Sequence, residues 1–318
     1  MKVAILNDYQ RAVPTLAAFA KAAAHDVEVF TDAERDEAKL AARLAQFDAI
    51  ILIRERTRMT ASLLAKLPKL RLLVLTGGVG AHIDLAACRE RGITVCAGGG
   101  SPVAPAELTW ALILAALRCM VPEAERLKRG QWQGYLGRKV AGRSLGLVGF
   151  GKIAKLVARY AAAFDMKVTV WGRESTLARA REAGLGTTES MPEIFVGCDV
   201  VSAHLRLNDA TRGMIRFEHL AAMRPDALFV NISRAELVET GALERALKAG
   251  RPGYAAIDVF ESEPVYDAAH PLLALPNVLA TPHIGFVEKD TYESYFGESF
   301  DAVNAFAAGS PVRVVKDK

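Results

Sequence analysis

Residues 145–154, Leu145-Gly146-Leu147-Val148-Gly149-Phe150-Gly151-Lys152-Ile153-Ala154, carry the pattern that decides how the rest of the chain is read. An apolar run ends at Gly149, a G-x-G-x-x-A turn follows, and an Ala-rich helical segment begins at once. This strand–turn–helix setting is the one in which the spacing is informative. Gly149 permits the tight turn, and Gly151 has no side chain to keep the backbone away from a pyrophosphate. The unpaired N–H groups at the helix start, around Lys152 and Ile153, favour that negative charge. Ala154 takes the place of the third glycine, where close helix–strand packing needs a small residue. The expectation is a dinucleotide held at the end of a strand in a parallel sheet.

Outward from this stretch, short β-branched runs alternate with Ala-rich helical segments, the pattern of parallel sheets covered on both faces. One set of strands is expected at Lys2–Asn7, Asp26–Phe30, Ala49–Arg54, Leu70–Leu75 and Ile93–Cys96. A second is expected at Ser144–Gly149, Lys167–Trp171, Val200–Leu205, Ala227–Ile232, Tyr254–Val259 and Asn277–Ala280. Between the sets, a Gly-rich stretch with Pro102 and Pro105 gives way to an apolar helix that Glu107 helps to start. A further helix from about Glu288 to Ala308 and the run Val312–Val315 follow the last strand. The fold class is therefore α/β, with two doubly wound parallel-sheet domains. A flavodoxin-like substrate or lid domain takes residues 1–100 and 285–318, and a Rossmann dinucleotide-binding domain takes 101–284.

The chain has 318 residues, 51% of them hydrophobic and 24% charged, which suits compact domains. With 40 basic against 36 acidic residues in scattered order, neither nucleic acid nor a membrane surface is expected as a partner. The apolar stretch Leu108–Val121 is interrupted by Arg118 and falls short of the roughly 20 apolar residues of a membrane span, so it reads as a buried helix. Cys88, Cys96, Cys119 and Cys198 show no metal-ligand spacing, so no metal site is expected, and the opening MKVAILNDYQ lacks the shape of a signal peptide. These features lead to the expectation of a cytoplasmic protein.

About 20 residues beyond the glycine turn, the next strand ends in Trp171-Gly172-Arg173-Glu174, where an acidic residue would accept hydrogen bonds from the adenosine ribose. Gly172 offers no carboxylate to repel a 2′-phosphate, and Arg173 can pair with one bidentately, so the cofactor is expected to be NAD(P), with NADP favoured over NAD. If Arg173 is merely solvated, Glu174 or Ser175 is left to bind the ribose.

Three more segments stand at the ends of expected strands: Val230-Asn231-Ile232-Ser233-Arg234, Ile257-Asp258-Val259-Phe260-Glu261-Ser262-Glu263-Pro264 and Thr281-Pro282-His283-Ile284-Gly285. Together with Thr76-Gly77-Gly78-Val79-Gly80-Ala81-His82 and the glycine turn, in this order along nearly the whole chain, they make the sequence resemble the D-isomer-specific 2-hydroxyacid dehydrogenase family, its glyoxylate/hydroxypyruvate reductases included. The resemblance implies that Arg234, Glu263 and His283 are catalytic. It also implies a cofactor site that adds Arg173, Leu205, Arg206, Ile232 and Asp258 to Gly149, Gly151, Lys152 and Ile153, with Asp258 near the nicotinamide carboxamide. Gly78 and Val79, with Arg234, would bind the substrate carboxylate.

The residue types suit these roles. Arg234 presents a planar fork to a carboxylate, and His283 is a proton partner for the alcohol or carbonyl oxygen. Glu263 on the other ring nitrogen would favour the imidazolium form, although Glu261 lies only two residues away. His204 is expected in a loop beside the cofactor and His82 at the border of the substrate loop. His25, His219 and His270 are assigned to surface or packing roles.

The expected activity is hydride transfer between the nicotinamide and C2 of a small 2-oxo or 2-hydroxy acid, such as glyoxylate or hydroxypyruvate. The resemblance also implies a homodimer, for which the all-apolar helix face Trp110–Leu117 is the expected surface. The competing reading, from relatives of the corepressor type, is a dinucleotide-sensing regulatory protein with little turnover.

Departures from the family pattern bear on preference rather than on reaction type. Ala235 follows Arg234 where glycine is commoner, and Arg206 replaces a proline.

Overall fold

A computed structural model of the chain describes residues 1–316, so positions 317 and 318 of the expected first domain lie outside the described residues. The chain divides into two compact units, Met1–Ser101 with the residues from Val287 onward, and Pro102–Phe286. The divisions fall one and two residues beyond the expected positions.

The first unit is built on β1 (Lys2–Leu6), β2 (Asp26–Val29), β3 (Ala49–Leu52), β4 (Leu72–Leu75) and β5 (Thr94–Ala97). They pair in parallel in the order β2-β1-β3-β4-β5, the flavodoxin-like arrangement. Burial follows position. β3 and β4, in the interior, are apolar and buried at every residue, whereas the edge strand β2 alternates exposed with half-buried residues. The helix Lys289–Ala307 returns to this unit and buries Tyr292, Phe296 and Phe300, with the Phe300 ring 5.8 Å from that of Phe19. The run expected at Val312–Val315 lies antiparallel to β5, joined by Ala97 N–H to the Arg313 carbonyl and Val315 N–H to the Val95 carbonyl.

The second unit holds β6 (Ser144–Val148), β7 (Lys167–Trp171), β8 (Gly186–Thr188), β9 (Val200–Ala203), β10 (Leu228–Asn231), β11 (Tyr254–Ile257) and β12 (Val278–Ala280). All pair in parallel, in the order β12-β11-β10-β9-β6-β7-β8. The strand order reverses between β6 and β9, and the crevice at such a switch point is where open α/β sheets take their ligands. The strand β8 was not expected from sequence.

The helices Val103–Leu117 and Lys152–Ala163 cover one face of this sheet. The helix expected to begin with the help of Glu107 starts a full turn earlier, at Val103, so Glu107 is interior. Much of its Trp110–Leu117 stretch is buried within the unit. Trp110 is 8% exposed and Ile113 0%, packed with Leu145, Leu147 and Val157, because a helix apolar all round belongs in a core. Among the described residues no single helix is long and apolar enough to cross a membrane.

Candidate active site

The turn after β6 has the geometry that its two glycines foretell, for two different reasons. Gly149 sits at φ +98°, and a Cβ there would stand 2.9 Å from the His204 carbonyl oxygen and 3.0 Å from Leu205 Cδ2. The close approach of the β6 and β9 loops therefore requires glycine. Gly151 has ordinary extended backbone, and a Cβ there would meet nothing within 4 Å. It faces open space at the start of Lys152–Ala163, a helix whose N-terminus has no side-chain cap. Lys152 is exposed, Ile153 half-buried and Ala154 completely buried against the sheet. Free N–H groups, the positive end of a helix dipole and a cleared backbone are what a pyrophosphate needs, so these residues fit a dinucleotide.

At the end of β7, Arg173 is exposed and precedes the helix Glu174–Glu182. Glu174 is turned toward Arg181, 2.8 Å away. Arg206 is exposed and Leu205 half-buried in the loop after β9. Ile232 is 6% exposed and its side chain packs in the core of the unit. His204 has Nε2 within 2.9 Å of Ser202 Oγ, and burial pushes its pKa down to about 4. The ring is neutral at neutral pH.

Three adjacent strand ends carry the remaining groups. After β10, the Asn231 side chain, 3% exposed, shapes the turn by donating to the Arg234 carbonyl (2.9 Å) and accepting from Ser233 N–H (3.0 Å). Ser233 Oγ ties this turn to the Leu205 carbonyl at 3.2 Å. Arg234 is half-buried, and its guanidinium donates to the Ser233 carbonyl at 2.6 Å. After β11, Glu263 accepts the Phe260 N–H on Oε1 (2.9 Å) and faces His283 Nδ1 with Oε2 at 2.5 Å. Glu261 points elsewhere, to His270 at 2.9 Å, which resolves the choice between the two carboxylates.

After β12, His283 takes a left-handed backbone conformation, φ +51°. A carboxylate can only accept, so Nδ1 carries the proton bonded to Glu263 and Nε2 is the nitrogen left for chemistry. The loop that carries His283 is fastened by Asp258. This residue, 0% exposed, accepts Thr281 Oγ1–H (2.6 Å) and Ile284 N–H (2.8 Å) on Oδ1, and Gly285 N–H (2.9 Å) on Oδ2. Burial pushes the Asp258 carboxyl above its ordinary range, opposed by the Thr281 and Ile284 bonds and by the nearby His283. Three of its roughly four acceptor positions serve the loop.

In the first unit, Gly78 is exposed and Val79 half-buried in the loop after β4. Gly77 is at φ +139°, and a Cβ there would lie 1.9 Å from Arg54 Nη1, so the guanidinium covers it. His82 is buried at the end of this loop. His25 bonds Asn304, His219 caps a short helix and His270 pairs with Glu261. The sequence reading did not find Asn231, Ser233 or Thr281. Their signal is that each flanks a candidate catalytic residue and has a side chain short enough to bond the backbone.

Residues 110–285 match the sequence model of the D-isomer specific 2-hydroxyacid dehydrogenase, NAD binding domain. The chain belongs to this family. It is 50% identical to the phosphoglycerate oxidoreductase of Vibrio cholerae, whose solved structure superposes with a TM-score of 0.95 over 98% of this chain and 100% of that one. It is 34% identical to the glyoxylate reductase of Aeropyrum pernix, over 79% of this chain and 78% of the relative. The D-3-phosphoglycerate dehydrogenase of Methanocaldococcus jannaschii is 35% identical over 82% of this chain but 49% of the relative. The chain spans about half the length of the curated phosphoglycerate dehydrogenases that it matches.

Proposed function

We propose that the chain is an NAD(P)-dependent oxidoreductase that transfers a hydride between the nicotinamide and C2 of a small 2-oxo or 2-hydroxy acid, with glyoxylate or hydroxypyruvate as the representative substrates. The observation that carries the reading is the 2.5 Å Glu263–His283 pair beside the Arg234 turn, at the ends of three adjacent strands in the sheet that holds the glycine turn. When bound, the nicotinamide supplies or accepts the hydride. Arg234 binds the substrate carboxylate. Glu263 holds the His283 ring through Nδ1–H, so that Nε2 gives a proton to the substrate oxygen in reduction and takes it back in oxidation. Asp258 keeps the loop, and therefore Nε2, in place.

NADP is the preferred cofactor in this reading. Arg173 and Arg206 are exposed, whereas the nearest carboxylate, Glu174, is engaged by Arg181. The free state of all four cysteines supports a reducing, cytoplasmic setting.

The test is loss of reduced-nicotinamide absorbance with NADPH and NADH against glyoxylate, hydroxypyruvate, its phosphorylated analogue, pyruvate and 2-oxoglutarate. Turnover that vanishes in His283→Ala is expected. Tight dinucleotide binding with no turnover on any of these acids would replace the enzymatic reading with the sensing one.

A further inference from the structure

A cavity of about 340 Å³ lies at the ends of β10 and β11, which is within the roughly 300–1,000 Å³ range of small-molecule sites. All of its lining belongs to Pro102–Phe286, and part of it comes from the short helix Ala242–Lys248 and the turn Pro271–Ala274. Arg234, Glu263, His283 and the glycine turn take no part in that lining. The floor is apolar: Val238, Leu243, Ile257 and Leu272 are buried members of the unit's core.

The polar part of the lining carries one sign of charge. Glu239, Glu244 and Glu261 contribute to it, and among the described residues no lysine or arginine does. Glu244 is paired with Lys248 at 2.6 Å and Glu261 with His270 at 2.9 Å. Glu239 accepts the Phe217 N–H at 3.2 Å and has no cationic partner among the described residues. An apolar floor beside carboxylates suits a molecule with an apolar body and a positive head, because the body gains by leaving water and the head by meeting the carboxylates. An anion such as a 2-oxo acid would be repelled, so the cavity is not a second copy of the substrate site. Its position matters because of what its walls hold on their other side. Asn231 and Ala235 line it and flank the turn of Arg234, whose carbonyl accepts from the Asn231 side chain at 2.9 Å. Val259 and Glu261 line it and flank Phe260, whose N–H donates to Glu263 Oε1 at 2.9 Å. An occupant therefore packs against the backs of both turns.

We propose that this cavity is an effector site for a small organic cation, an amine or guanidine carried on an apolar body. Once filled, it holds the Arg234 turn in the arrangement described above and so tightens substrate binding. By reciprocity, bound substrate tightens the amine. The effect on substrate rests on the oxidoreductase reading, whereas the existence of the site does not.

The experiment is calorimetric titration of the full chain, without dinucleotide, with 2-phenylethylamine and with its neutral counterpart 2-phenylethanol. The amine is expected to bind with a Kd of about 0.1–1 mM and the alcohol at least about tenfold more weakly. Salt raised to about 0.5 M should weaken the amine severalfold and leave the alcohol alone. Glu239→Gln and Glu244→Gln should each weaken the amine roughly two- to fivefold without changing the affinity for the alcohol, and their Tm shows that the fold is retained. In steady-state kinetics, saturating amine should lower the KM of whichever 2-oxo acid is turned over by at least about threefold, with kcat within about twofold. Equal affinity for amine and alcohol, or an amine affinity untouched by both substitutions, would overturn the site. Binding as expected with an unchanged KM would overturn the effector role. If no acid is turned over, the oxidoreductase reading fails and the effector role with it, while the titrations still decide the site.

Discussion

The two glycines of the turn after β6 offer a double test, because substitution by alanine should damage them in different currencies. Gly149→Ala forces a Cβ to within 2.9 Å of a backbone carbonyl and places an L side chain at φ +98°. The positive φ costs about 1–2 kcal/mol, and the overpacking, against backbone that cannot swing away, about 1–3 kcal/mol. A total of about 2–5 kcal/mol lowers the Tm by roughly 4–20 °C for a unit of this size. Gly151→Ala meets nothing within 4 Å and keeps an extended backbone, so only its modest advantage as a helix cap is lost, about 1 kcal/mol or less. Its damage should appear in the dinucleotide dissociation constant, raised roughly 10–100-fold by a methyl group that stands where the pyrophosphate must approach. Differential scanning fluorimetry of the ligand-free protein and titration of reduced-nicotinamide fluorescence separate the two effects. Equal Tm losses in the two variants, or Gly151→Ala binding cofactor as tightly as wild type, would refute the reasoning.

Glu263→Gln should lower kcat by roughly 10- to 100-fold with little change in KM, whereas Glu261→Gln, whose carboxylate serves His270, should stay within about threefold of wild type; steady-state kinetics on both variants decides between the carboxylates. Arg173→Ala should weaken NADPH binding more than NADH binding, and equal losses in calorimetric titrations would remove the basis for preferring the phosphorylated cofactor. His204, held neutral by burial with a pKa of about 4 against 6.5 when unfolded, leaves the unfolded chain binding more protons between those values. Its contribution to stability is therefore complete above pH 6.5 and falls as the pH drops toward 4, by about 2 kcal/mol at pH 5. His204→Met should flatten that part of the urea-unfolding profile. The lowered pKa of His219 acts in the same direction and is untouched by the variant; an unchanged slope would show that the His204 ring is not excluded from water.

What the sequence disclosed was whatever is encoded in local order. The glycine turn, the apolar runs of the central strands and the motifs at the ends of β10, β11 and β12 each reside in a few consecutive residues, and the structure draws Glu263 and His283 together from them. Features that depend on what folds back were not legible. Spacing did not decide whether Glu261 or Glu263 meets the histidine, because the decision is made by the Phe260 N–H that turns Glu263 inward. Asp258 looked like a group at the edge of a site, and only the return of residues 281–285 shows that three of its bonds are internal. The strand β8 is three residues long and begins with glycine, too little pattern for a period to show. The apolar helix Val103–Leu117 reads both as a buried helix and as a subunit face, because composition cannot tell a core helix from an interface helix, while the exposed Trp132 and Leu136 lie in a stretch with no periodicity at all.

The first unit is threaded from both sides of the second in sequence, and this dictates an order of assembly. Pro102–Phe286 is continuous and holds all the strands of its own sheet, so it can fold as soon as it has left the ribosome. The five strands of residues 1–101 must wait for the helix Lys289–Ala307 before Phe19 has Phe300 to pack against, and for Arg313 and Val315 before β5 gains its antiparallel neighbour. During that interval a parallel sheet stands with an uncovered apolar flank, the kind of species that aggregates or occupies chaperones. The unit that is synthesised first is therefore the one that needs the last segments of the chain, whereas the sheet that bears His283 needs no strand from outside its own continuous stretch.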